Sequence, residues 1–93
     1  MTDDARPGDL PTDFSTLVLS LATSALVHMG VAPDPQGGAA EKNLPLAQHT
    51  IDTLEMLQTK TRGNLSDEES KLLQSVLYEL RMSYVKARDG KPA

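Results

Sequence analysis

The chain contains no cysteine and no tryptophan, and one phenylalanine and two tyrosines are the only aromatics among its 93 residues. Without thiols there is no disulfide to staple a small fold and no thiolate set for a structural zinc ion. Without large aromatic side chains the core falls to Leu, Val, Ile, Ala and Met, which is the composition of a helix bundle. Phosphate-cradling loops are also missing, because Gly37-Gly38 leads into no Lys-Ser/Thr helix start. Ser, Asp and His are scattered, with no spacing that imposes a Ser/His/Asp or paired-carboxylate geometry, so no catalytic residue is assigned and no enzyme is expected. No cofactor is implied either.

Charge is missing in one place only. From Phe14 to Pro33 twenty residues, FSTLVLSLATSALVHMGVAP, run without Asp, Glu, Lys or Arg, and their apolar members spread around most of a helical circumference. A helix of that kind requires cover on nearly every side. Two further amphipathic segments in so short a chain are expected to fall short of it, which points to several copies packing together. The run raises the question of a membrane. Its helical part should stop at Gly30, short of the roughly 20 apolar residues that span a bilayer, and no Lys or Arg flanks it closely. The leader before it is acidic, unlike a secretory signal. A cytoplasmic protein without a membrane anchor is the expectation.

The net charge of −4 argues against a sequence-independent grip on nucleic acid, which needs clustered cations to release counterions. Arg81, Lys86, Arg88 and Lys91 do gather late in the chain, but at a helix end whose dipole favours positive charge.

Three helices are readable from their punctuation, over about 13–29, 44–62 and 67–87. The first opens after Thr12 or Asp13 and closes at Gly30, with Val31 placed for the apolar contact that accompanies a left-handed cap. The linker over 31–43 is rich in Pro and Gly and long enough for the first helix to pack within its own chain or on a neighbour. Asn43 caps the second helix, with Pro45 tolerated in its first turn. A projection at 100° per residue puts Leu44, Leu46, Ala47, Ile51, Leu54 and Leu57 on its inner face and Gln48, His49, Asp52, Glu55 and Lys60 opposite. Gly63 and Asn64 form a tight turn. Ser66 and Glu69 then make a capping box that opens the third helix, whose stripe is Leu72, Leu73, Val76, Leu77, Leu80 and Tyr84. The leader over 1–12 and the tail over 89–93 read as disordered, with residues 13–88 as a single helical domain.

The segments SLATSALVHMG, NLPLAQHTIDTLEMLQTKTRGNLSDEE and LLQSVLYELRMSYV, with IDTLEML, KTRGNL and LYELR inside them, resemble the bacterial domain-of-unknown-function family DUF1844. The resemblance runs from about Phe14 to Val85. It implies a small all-helical protein and supplies no catalytic residue.

His49, Asp52 and Glu55 recur every three residues, yet they fall opposite the apolar face and lack the Glu-x-x-His spacing of inward-facing bundle metal sites, so no metal is assigned. His28 is expected to cap the last carbonyls of the first helix. It could also act as a pH-sensitive interface group. Thr16, Ser20, Thr23 and Ser24 form a stripe of small side chains that lets helix backbones approach closely. Phe14, Leu17, Val18, Ser20, Leu21, Ser24 and Ala25 are accordingly the self-association candidates. Tyr78, Met82 and Val85 make a second patch, which meets either a partner or the chain's own first helix.

The sequence therefore predicts an all-α protein in which a hairpin of the second and third helices packs with the apolar first helix in a homo-oligomeric bundle. Its function is expected to be that of a non-enzymatic self-assembling scaffold or adaptor. The alternatives are a module that docks a different protein, of the translation or envelope machinery, through its first helix, and a small membrane-associated protein.

Overall fold

The computed structural model describes residues 12–33 and 42–90, and over these the chain forms three helices and no strand. They are α1 Phe14–Met29, α2 Leu44–Lys60 and α3 Asp67–Asp89. Residues 1–11 of the expected leader, 34–41 of the expected linker and 91–93 of the expected tail lie outside the described residues.

Each helix begins on a side chain that accepts from the otherwise unpaired first-turn amides. Asp13 Oδ1 accepts the Thr16 N–H at 2.7 Å, and Asn43 Oδ1 the Leu46 N–H at 3.1 Å. At α3 the Ser66 hydroxyl accepts the Glu69 N–H at 3.1 Å while Glu69 Oε1 accepts the Ser66 N–H at 2.8 Å, a reciprocal capping box. Helix ends follow the same local logic. Gly30, at φ +81°, donates to the Val27 carbonyl, and Val31 reaches back to the Leu26 carbonyl at 3.1 Å. These two bonds are a Schellman closure, although Val31 itself stays exposed.

Two ends differ from expectation. α2 stops at Lys60, before Arg62, because the Thr61 hydroxyl turns back onto the Leu57 carbonyl and the Asn64 N–H closes on the Thr61 carbonyl at 2.8 Å. α3 runs past Ala87 to Asp89, since Gly90 takes a left-handed conformation and supplies the cap.

The chain runs up, down and up. The Asn43 N–H donates to the His28 carbonyl, which sets the start of α2 against the end of α1. Gly63, at φ +87°, turns the chain from α2 into an antiparallel α3. Lys42 completes that end of the bundle: its stem lies about 3.6 Å from where a Cβ on Gly30 would be, and its ammonium donates to the Ala87 carbonyl at 2.9 Å. The ends of α1 and α3 and the start of α2 therefore meet at one pole.

All three helices pack on one another. Their shared core takes Val18, Ala22, Ala25 and Met29 from α1, Ala47, Ile51 and Leu54 from α2, and Leu73, Leu77 and Leu80 from α3. The alanines Ala22, Ala25 and Ala47 leave room for the backbones to come close. Thr50 is the buried polar residue among them, and its hydroxyl donates to the Leu46 carbonyl within its own helix. One chain thus covers the inner stripe of α1, while Leu17 and Leu19 on its outer side stay uncovered by the hairpin.

Candidate functional site

The self-association candidates on α1 divide into two groups. Val18 and Ala25 are fully buried in the protomer core, and Phe14 and Leu21 pack against it. Those four residues serve the chain's own fold, so Val18 and Ala25 are not free to meet another copy. Leu17, Ser20 and Ser24 point outward, joined by Thr23 and by Leu19, which is 50 % exposed and which the sequence did not single out. The outer side of α1 is therefore a band of Ser and Thr bordered by two leucines, and no charged side chain interrupts it.

Tyr78, Met82 and Val85 remain uncovered, at 61 %, 46 % and 43 % exposure. Their own α1 does not cover them, and it is Leu72, Val76 and Ala87 of α3 that pack against the core. Beside this patch Arg81 donates Nε to Glu55 Oε2 at 3.1 Å and adds a terminal nitrogen to the same oxygen, tying α3 to α2. Glu55 therefore sits half-buried on the flank of α2 that faces α3, where the helical projection had placed it with the outer residues. Leu46, expected inside, is exposed, and Met56 is a further exposed apolar side chain on α2.

Both carboxylates weighed for chemistry have other partners. Asp52 accepts from Gln48 Nε2 at 2.9 Å, and Glu55 is held by Arg81. Among the described residues no group of three or more His, Asp or Glu is placed to hold a metal ion. The carbonyls at the end of α1 are taken by the Gly30, Val31 and Asn43 amides, and among the described residues the His28 imidazole makes no bond to them. An open depression beside the α2–α3 turn is lined by Gln58, Thr61, Arg62, Asp67, Ser70 and Gln74. It offers amides, hydroxyls and one pair of opposite charges, without a histidine to act as base. No helix of the described residues is long and apolar enough to cross a membrane.

Among the described residues the geometry offers an uncharged face on α1, an apolar patch on α3, and a capped, closed core between them. No curated protein and no solved structure matches the chain. Over residues 11–86 it matches the family described as Domain of unknown function (DUF1844), and the chain belongs to that family.

Proposed function

We propose that this chain is a non-enzymatic association module of the scaffold or adaptor kind, working in the cytoplasm and assembling with copies of itself. The observation that carries the reading is the outward face of α1. A helix whose inner stripe already fills the core ordinarily turns charge toward water, and this one turns Leu17, Leu19, Ser20, Thr23 and Ser24 outward. Hydrating such a face brings little gain, and covering it with a like face sets no two charges of the same sign together. Its small side chains permit close backbone approach. Removing the exposed halves of Leu17 and Leu19 from water contributes about 1 kcal/mol per side chain.

The test is a Leu17→Asp, Leu19→Lys variant. Both side chains lie outside the core, so the protomer should keep its helical circular dichroism while its assemblies become smaller in sedimentation. Equal assembly size for variant and wild type would remove α1 from the interface.

A further inference from the structure

The third helix carries two seams. The inner one, Leu73, Leu77, Leu80, Tyr84 and Ala87, belongs to the protomer core and its margin. The outer one consists of Lys71, Ser75, Tyr78, Met82, Val85 and Asp89, every member exposed. Its steps alternate between four residues and three, the 3.5-residue average of a coiled-coil seam. It is displaced by two positions from the inner seam, which puts it on nearly the opposite side of the helix. At 23 residues α3 is longer than either of its neighbours, so the outer seam has a helix long enough to carry it.

The charges on this seam run against the helix dipole. Anions suit the start of a helix and cations its end, yet Lys71 stands near the start of α3 and Asp89 is its last residue. Elsewhere α3 follows the dipole, with Asp67, Glu68 and Glu69 first and Lys86 and Arg88 last. The dipole of their own helix therefore does not account for Lys71 and Asp89, and at opposite ends of it they cannot reach each other.

We propose that α3 pairs antiparallel with α3 of a second copy along this outer seam, with the twofold axis passing beside position 80. Each seam residue then meets its equidistant counterpart. Tyr78 packs on the partner copy's Met82, Ser75 on its Val85, and Lys71 faces its Asp89 at both ends of the contact. A parallel pair would instead set Lys71 on Lys71 and Asp89 on Asp89. Arg81 lies on the flank next to the axis with its charge already balanced by Glu55. Glu79 and Arg81 each approach their own counterpart on opposite flanks of the axis, and since Arg81 is neutralised by Glu55, Glu79 is the unbalanced like-charge approach. Asp89 also accepts from Arg88 Nε at 3.2 Å, an exposed contact between chain neighbours that leaves its second oxygen available. This pairing rests on the scaffold reading above and adds to the α1 face a second surface, with its register, through which copies meet.

Charge reversal tests it directly. Lys71→Glu and Asp89→Lys each put like charges together at both ends, and each should weaken association about tenfold. Both changes also move charge in the direction the dipole favours, so neither should destabilise the protomer. Combining the two in one chain restores the complementary pairing, and association should return to within about twofold of wild type. Glu79→Gln should tighten it. A double variant no better than the singles, or singles that associate like wild type, overturns the pairing. If the assembly ignores every α3 variant but dissolves in the Leu17→Asp, Leu19→Lys protein, the scaffold reading stands and the α3 seam does not. A wild-type chain that stays monomeric at every concentration overturns both.

Discussion

The Lys42 ammonium donates to the carbonyl of Ala87 across the upper pole of the bundle, at 2.9 Å, and joins the segment entering α2 to the last turn of α3. Its stem crosses Gly30, where a Cβ would come within about 3.6 Å of it. The cation serves two purposes there, adding a second donor to a last-turn carbonyl that the Gly90 amide reaches at 3.3 Å and placing positive charge at the negative end of the dipole.

Lys42→Met keeps most of the stem and removes the donor. The expected cost is about 0.3 to 1 kcal/mol, and it should be confined to the end of α3. Hydrogen exchange reads this locally: amides from Tyr84 to Asp89 should lose protection while those around Leu73 keep theirs. Uniform loss would show that Lys42 supports the whole bundle, and no loss that the contact contributes nothing.

The α2–α3 turn is tested at two residues. Gly63 has a positive φ and open space where a Cβ would go, so Gly63→Val should cost more than about 1 kcal/mol through backbone conformation alone. Ser66→Ala should cost about 1 kcal/mol through loss of the cap. In a domain this small each change lowers the melting temperature by roughly 4 to 8 °C per kcal/mol. Wild-type melting of both variants would contradict the turn.

These two features were the most legible part of the sequence, because a cap and a glycine turn are written within a few neighbouring residues. The stripe of α3 was legible too, since its leucines stand out from a charged helix. α1 was not. With no charge anywhere along it, its own residues do not say which side turns inward, and the choice falls to the small side chains Ala22, Ala25 and Ala47 that let it approach α2. Val18 and Ala25 were therefore placed with the outward candidates, and Met29 and Leu19 were passed over. Glu55 was misplaced for a related reason: a helical projection separates inner from outer residues but does not show that Arg81 of α3 waits at the flank. Gly90 was read as part of a tail because its role depends on α3 continuing two residues further.

Acid should loosen the start of α1. The Thr16 backbone amide, and then the Thr16 hydroxyl, stabilise the charged form of Asp13 and hold its carboxyl below its ordinary value of 3.8. A carboxylate lowered in the folded state stabilises it above the unfolded pKa, and that contribution is lost as pH falls through the folded one. Asp13→Asn keeps an oxygen acceptor without the charge, so its effect on the α1 end should be flat below pH 4 where wild type declines. Parallel acid profiles for the two proteins, followed by the Thr16 amide resonance, would contradict the cap.

The core predicts opposite responses to opposite volume changes. Leu77 is essentially fully buried, and Leu77→Ala should cost about 2 to 5 kcal/mol through lost contacts and a residual cavity. Ala25, also fully buried, has no room to grow, and Ala25→Leu should cost about 1 to 3 kcal/mol by forcing α1 away from its neighbours. Denaturant unfolding checks both. A neutral Ala25→Leu would mean that α1 is not seated closely on the hairpin.

The most direct test of an association module is the size of the wild-type chain in solution as a function of concentration. Sedimentation velocity from about 1 μM to about 1 mM, without detergent, spans the affinities expected when single helix faces meet. The account predicts a reversible rise from the one-chain mass to a discrete larger species across that range. A constant one-chain mass up to the highest concentration would contradict it.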